Sequence, residues 1–114
     1  MSTSSAQSIK QHIESHLHSP DLCVGTLCAR SGRSRATLYR LFEAEGGLVC
    51  YIQRRRLQQA FVELVSAAPR RRILDIALDS HFASEATFNR AFRRMFGLPP
   101  GEARRMAQRD AARC

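Results

Sequence analysis

The sequence predicts an all-α protein in which two similar helical units are joined by a long helix. Apolar residues recur at helical spacing along the chain, and no stretch alternates apolar and polar residues for long enough to form a pair of strands. Glycine, proline and serine separate the helical segments from one another. In addition, the segment SRATLYRLF at residues 34–42 is repeated as SEATFNRAF at residues 84–92, which indicates two copies of one unit.

Each helix is predicted from an apolar stripe and from the residues that begin or end it. Ile9, Ile13 and Leu17 recur every four residues and form such a stripe. Ser34 and Ser84 are favourable N-caps, so a helix should begin directly after each of them. The predicted helices cover residues 8–18, 24–30, 35–44 and 49–67, then a short segment around Ile73, Ile76 and Ala77, and finally residues 85–96.

These helices form two helix–turn–helix units, because a short helix, a turn and a Ser-capped second helix occur in each half. The predicted organisation is a flexible N-terminus at residues 1–7, a first helix–turn–helix unit at residues 8–48, a linker helix at residues 49–68, a second helix–turn–helix unit at residues 69–106 and a C-terminal tail at residues 107–114.

The charge of the chain restricts the kind of partner. The net charge is +8, with 17 arginines and one lysine, and such an excess is typical of proteins that bind nucleic acid. A basic protein of the membrane surface would carry one long helix with a dense cationic face, whereas these arginines lie in separate clusters. The sequence contains no run of 18 apolar residues and no signal peptide, so we expect a cytoplasmic protein without a membrane partner.

The second helix of a helix–turn–helix motif enters the major groove of DNA. Arginine can pair there with guanine, asparagine with adenine, and glutamate with cytosine. The free backbone N–H groups behind Ser34 and Ser84 can meet a phosphate. The polar faces of the two repeats carry Arg35, Thr37, Tyr39 and Arg40 in the first, and Glu85, Thr87, Asn89 and Arg90 in the second.

From Leu27 onward the motifs resemble the DNA-binding domain of the AraC/XylS family of bacterial transcription regulators, which is homeodomain-like. The resemblance rests on LCARSGRSRATLYRLF, GG followed by YIQRRRLQQA, ILDIAL, TFNRAFRRMFG and PP, in family order. It implies an activator whose two units, joined by a rigid helix, read adjacent major-groove segments. By this resemblance the base-reading positions are Arg35, Ala36, Tyr39, Arg40, Glu85, Ala86, Asn89 and Arg90.

The length of the linker fits this implication. A helix of about 19 residues is ~28 Å long, and two reading helices on one face of DNA should lie one turn, roughly 34 Å, apart. We therefore expect one chain to bind double-stranded DNA as a monomer, with RNA polymerase as a candidate further partner. Because the two polar faces differ, the DNA site should be asymmetric.

Hydroxyl and arginine side chains are the expected contacts to DNA phosphates. Two runs of arginine leave alternatives open: Arg56 is structural by family likeness, and residues 70–72 either meet the DNA backbone or form a solvated surface. The expected phosphate contacts are Ser34, Thr37, Arg54, Arg55, Ser84, Thr87, Arg93 and Arg94.

Two residues depart from the family pattern. His81 stands where a turn glycine is usual, although histidine tolerates a positive φ better than most residues. Ala103 stands where an aromatic residue usually precedes Arg104, which leaves the packing of the C-terminal end open. Cys28 and Cys50 are expected to be reduced thiols that fill the core.

No arrangement of residues predicts an enzyme, a cofactor or a metal site. HIESH at residues 12–16 resembles the HExxH motif of metalloproteases, but Ile13 occupies the place of its glutamate. The alternative function is an RNA-binding or ribosome-associated basic protein, which would need exposed aromatic rings, and Tyr39 is the one plausible ring. A protein-binding adaptor is disfavoured by the charge of +8.

Overall fold

The computed structural model describes residues 2–66 and 71–113, with side chains at residues 6–66 and 71–110, and every regular element in this part is helical. The all-α prediction is confirmed, and no described helix is long and apolar enough to cross a bilayer. The chain divides between Arg55 and Arg56 into two compact units. The α-helices are α1 (Ser2–Ser15), α2 (Val24–Ser31), α3 (Arg35–Leu41), α4 (Leu48–Val65), α5 (Ile73–Asp79), α6 (Glu85–Phe96) and α7 (Pro100–Arg113).

The core of the first unit is formed by α1, α2, α3 and the first half of α4. The predicted stripe of α1 is confirmed, since Ile9, Ile13 and Leu17 are all buried. Leu38 and Phe42 anchor α3 and are completely buried. Each such side chain stabilises the unit by about 1.5–3 kcal/mol relative to an exposed one, so this core holds α3 with one face outward.

The core of the second unit combines aliphatic side chains of α4 and α5 with aromatic rings, two of which lie on α6. Phe88 and Phe92 are completely buried, and Phe82 lies edge-on to Phe88 with ring centroids 5.3 Å apart. Ala103 of α7 is also part of this core and is only 5% exposed. The C-terminal helix therefore packs against the unit through a small side chain, without the aromatic residue usual at this position.

Several helix boundaries differ from the predictions, and α7 extends into the predicted C-terminal tail. α1 begins at Ser2, inside the N-terminal stretch expected to be flexible, because no proline or glycine precedes Pro20 to interrupt it. α3 ends at Leu41, and a 3-10 turn at Glu43–Glu45 replaces its predicted last turn. This turn leads into two glycines with positive φ, which end the helical path as predicted.

Cys50 is exposed, so the prediction that it fills the core is wrong. The buried positions in this turn of α4 are Leu48, Tyr51 and Ile52, and at 3.6 residues per turn Cys50 falls on the other side of the helix. The prediction for Cys28 is confirmed, since it is half-buried and packs against the core of the first unit.

The first helix of the helix–turn–helix has a different C-terminal cap in each unit. In the first unit, the Gly32 N–H donates to the Cys28 carbonyl at 2.9 Å with φ of 71°, which is the simple left-handed cap. In the second unit, the His81 N–H donates to the Leu78 carbonyl and the Phe82 N–H to the Ala77 carbonyl, at 3.0 and 3.1 Å. This is the Schellman pattern, and the left-handed residue precedes the capping serine by three positions here and by two in the first unit.

His81 has φ of 65°, so the prediction that a non-glycine residue occupies a left-handed position is confirmed. Because a side chain disfavours this conformation by about 1–2 kcal/mol and glycine loses part of that gain through unfolded-state entropy, we expect His81→Gly to raise the free energy of unfolding by ~1 kcal/mol. Urea denaturation followed by circular dichroism measures the change.

Gly97→Ala provides the opposite control for His81→Gly. Gly97 has φ of 84° and no neighbouring atom within 4 Å of an added Cβ, so alanine should destabilise the protein through the backbone alone, by roughly 1 kcal/mol. If both substitutions changed the free energy of unfolding in the same direction, this would contradict the view that backbone conformation dominates at both positions.

Candidate nucleic-acid interface

The start of the second helix has the same geometry in both units. The Ser34 Oγ accepts a hydrogen bond from the Thr37 N–H at 3.2 Å, and the Ser84 Oγ accepts one from the Thr87 N–H at 3.1 Å. The two hydroxyls of each pair lie 3.0 Å apart. The Ser and Thr that the repeats share are therefore a cap and its partner, and such a cap stabilises a helix by ~1 kcal/mol.

The predicted base-reading positions of the first unit share one exposed face of α3. Leu38 and Phe42 point into the core, so the residues on the opposite side of the helix are held outward. Tyr39 is 49% exposed, which is high for a large aromatic side chain. We call this set the α3 surface, and its exposed members are Arg35, Ala36, Tyr39 and Arg40.

The second unit presents the corresponding face of α6. Phe88 and Phe92 are completely buried and fix the rotation of this helix. Arg93 and Arg94, one turn further along, are also exposed. We call the corresponding set the α6 surface, and its exposed members are Glu85, Ala86, Asn89 and Arg90.

The two surfaces differ in charge and polarity, although the helices that carry them have the same N-cap and corresponding buried anchors. At equivalent positions the α3 surface has Arg35 and the α6 surface has Glu85, so the sign of the charge is reversed. Tyr39 is likewise replaced by Asn89. The arginines at the last position, Arg40 and Arg90, are common to both. The units therefore offer the same geometry with different hydrogen-bonding groups.

Arg54 is held by a cluster of charged residues in the first unit. Its guanidinium donates to the Glu45 carboxylate at 2.8 Å and to the Glu45 backbone carbonyl at 3.3 Å. Lys10 donates to the same carboxylate at 3.0 Å, and Lys10 and then Arg54 hold the pKa of Glu45 below its ordinary value. Both cations also lie over the ring of Tyr51, so Arg54 stabilises the unit itself.

Three other arginines of the predicted or open phosphate sets also have carboxylate partners. The Arg55 Nε donates to Glu14 at 2.7 Å. Arg71 pairs with Glu63 at 3.5 Å and with Asp79, and Arg72 pairs with Asp75 at 3.0 Å. Arg70 lies outside the described residues. The run at residues 71–72 is thus a set of ion pairs within the second unit.

The two histidines of HIESH form a stacked pair at the C-terminal end of α1. The rings of His12 and His16 are 4.2 Å apart at their centroids, and the His16 Nδ1 lies 2.9 Å from the His12 carbonyl oxygen. Burial, followed by the charge of His16, lowers the pKa of His12. Within residues 2–66 and 71–113, no cluster of three or more histidine, cysteine or acidic side chains could hold a metal ion.

Comparison with known proteins gives consistent matches. A sequence family described as "Helix-turn-helix domain" matches residues 27–106. The chain is 39% identical over 101 residues to the transcriptional regulator Rob of Salmonella typhimurium, covering 87% of this chain and 34% of Rob. It is 38% identical over 94 residues to the regulatory protein SoxS of Escherichia coli K12, covering 81% of this chain and 85% of SoxS. The chain thus spans about a third of Rob.

Two solved structures have the same fold. One is a transcriptional regulator from Chromobacterium violaceum, described as having an AraC-type DNA-binding domain, with a TM-score of 0.84 and 26% identity over 93% of this chain and 94% of that one. The other is a probable AraC family transcriptional regulator from Rhodopseudomonas palustris CGA009, with a TM-score of 0.79 and 26% identity over 91% of this chain and 97% of that one.

Proposed function

The chain belongs to the AraC/XylS family of helix–turn–helix transcription regulators, and from this premise we propose that it binds double-stranded DNA at a specific sequence and regulates transcription there. The proposal rests on the arrangement that the two units share. Each unit has a Ser-capped helix whose buried anchors leave four candidate base-reading residues exposed on the opposite face. A net charge of +8 suits a polyanionic partner.

The exposed residues suggest which bases each unit prefers. Arg40 and Arg90 have the fork of donors that matches guanine O6 and N7. Asn89 can pair with adenine, and Glu85 can accept from the amino group of cytosine. Since the α3 surface lacks counterparts of these last two residues, the two half-sites should differ. The DNA site is therefore proposed to be asymmetric, with one half for each unit.

We propose two kinds of phosphate contact, one from arginine side chains and one from hydroxyl side chains. Arg93 and Arg94 are exposed beside the α6 surface, so their guanidinium groups can reach a DNA phosphate. Arg54 and Arg55 would have to share their guanidinium groups with Glu45 and Glu14. The contacts from hydroxyl side chains are those of Ser34, Thr37, Ser84 and Thr87. These residues lie at the helix starts, where backbone N–H groups also face outward.

The wider role of the protein follows from family likeness. We propose that it acts as an activator, that it binds DNA as a monomer in the cytoplasm, and that RNA polymerase is its protein partner. SoxS, which is described as a regulatory protein, matches this chain over 85% of its own length. A chain of this size is thus sufficient for a regulator in at least one relative.

The exposed surface weighs against the alternative of RNA binding. Proteins that bind single-stranded RNA stack successive bases on several exposed aromatic rings. In the part of the chain that the structure describes, Tyr39 is the one exposed residue among the tyrosines and phenylalanines, and the other tyrosine and phenylalanine rings are buried or half-buried. One ring does not form a stacking platform.

The salt dependence of binding tests the proposed function. If four arginines contact phosphates, raising salt from 50 to 200 mM should weaken duplex binding by ~100-fold, and Arg93→Ala should reduce the slope of log Kd against log salt by about one. Fluorescence anisotropy with labelled duplex and with single-stranded RNA of the same length measures both quantities. Equal affinity for the RNA across this range of salt would contradict the proposal.

A further inference from the structure

Tyr39 is unusual because about half of this large aromatic residue is exposed to solvent although the unit around it is well packed. It is 49% exposed, whereas Phe42, which follows the last residue of the same helix, is completely buried. The equivalent residue of the other unit is Asn89, which is polar. Neither the core nor the N-cap of α3 uses the ring. Its place on the α3 surface suggests a role in the contact with a ligand.

Ala36 extends the apolar surface of Tyr39. Residues three apart are neighbours on a helix, so the methyl group of Ala36 lies on the same exposed face as the ring, and both are exposed. At about 100° per residue, Arg35 and Arg40 lie on either side of this pair. The centre of the α3 surface is therefore apolar, with a guanidinium group on each flank.

Resting on the proposed function, we propose that Ala36 and Tyr39 recognise the 5-methyl group of a thymine in the half-site read by the first unit. The thymine methyl is the apolar group that base pairs present in the major groove. An apolar patch pressed onto the edge of any other base would bury polar atoms without hydrogen bonds. The patch thus selects thymine, while the flanking arginines select guanine.

The second unit lacks this apolar centre. Ala86 is conserved between the two repeats, but Asn89 replaces the ring, and its amide prefers the hydrogen-bonding edge of adenine. Methyl recognition through an aromatic ring should therefore be confined to one half of the DNA site. This asymmetry provides an internal control within a single duplex.

Deoxyuridine tests the proposal because it removes the methyl group and keeps every hydrogen-bonding atom of thymine. The bound duplex is first selected from a random pool, and each thymine is then replaced singly. The half-site of the first unit is the half whose base preference Arg40→Ala relaxes. At one thymine in this half, deoxyuridine should weaken binding of the full chain by about threefold to tenfold.

Three variants separate the ring from other contributions. Tyr39→Ala should remove most of the preference for thymine over deoxyuridine at this position, whereas Asn89→Ala, a matched change on α6, should leave this preference intact. Tyr39→Phe should also keep the difference, because it retains the ring and removes only the hydroxyl. Tyr39 is exposed, so these variants are expected to fold, and circular dichroism checks this.

Each outcome decides the inference separately from the proposed function. If no sequence is enriched from the pool, the proposed function fails and the inference fails with it. If a site is enriched but its first half contains no methyl-sensitive thymine, or if the sensitivity is undiminished in Tyr39→Ala, only the methyl inference is overturned. A loss of sensitivity in Tyr39→Phe would also overturn it, since the hydroxyl would then be the contacting group.

Discussion

Phe92→Ala is expected to lower the free energy of unfolding by about 3–5 kcal/mol, the largest effect among the substitutions considered. Phe92 is completely buried. Its ring centroid lies 4.6 Å from that of Phe96, 5.7 Å from that of Phe88 and 5.9 Å from that of Phe61. Truncation removes these contacts and leaves a cavity among rings that are fixed on two helices, so the space cannot close fully.

Urea denaturation followed by circular dichroism measures this loss, and Val62→Ala is the matched control. Val62 lies on α4 near the same core but is 58% exposed, so its truncation should change the free energy of unfolding by less than about 0.5 kcal/mol. A loss below 1 kcal/mol for Phe92→Ala would mean that this cluster does not hold α6, and with it the α6 surface, in place.

Arg40→Ala and Arg90→Ala are each expected to weaken binding to the selected duplex by roughly 1–3 kcal/mol. Both residues are exposed and face away from the buried anchors of their helices, so the stability of the protein should hardly change. The loss comes from the bidentate pair with guanine, and binding to random duplex should fall much less. Fluorescence anisotropy with both duplexes measures the two affinities.

Arg109→Ala is the control for the loss of one positive charge. Arg109 is exposed on α7, away from the α3 and α6 surfaces in sequence, and its removal should weaken binding to selected and random duplex by the same factor. The ratio of the two affinities is therefore the decisive quantity. An unchanged ratio in Arg40→Ala would show that this arginine contributes charge alone.

Local features of the fold were predictable because short-range physics determines them. The α6 helix covers Glu85–Phe96, as predicted, since Ser84 caps its start and Gly97 takes a left-handed conformation at its end. The positive φ of His81 was expected from the family pattern, in which a turn glycine is usual at this position. Burial of Phe88 and Phe92 followed from their helical spacing.

The pairing of the arginines could not be predicted from the sequence. Arg55 meets Glu14, 41 residues away in the chain, and such a contact depends on how α1 packs against α4. Arg54 and Glu45 are nine residues apart, and the 3-10 turn between α3 and α4 brings them together. A run of arginines in a sequence therefore indicates positive charge, while the structure shows which of them already have acidic partners.

The exposure of Cys50 could not be predicted for a related reason. Cysteine is a small apolar residue that is often buried, and its type alone does not say which side of α4 it occupies. Both Tyr51 and Ile52, which directly follow it in the chain, are buried. Packing in each unit decides which side of α4 is buried. The mixed apolar pattern at the start of this helix is compatible with more than one buried side.

Selection of bound sequences from a random duplex pool, carried out in parallel with the unmodified chain, Arg40→Ala and Arg90→Ala, tests the central claim most directly. The unmodified chain should enrich a non-palindromic site with two half-motifs about one helical turn, roughly 34 Å, apart. Each variant should lose the base preference in a different half. A palindromic site, a single short motif, or loss of the same positions in both variants would contradict the claim that two different helices each read their own half.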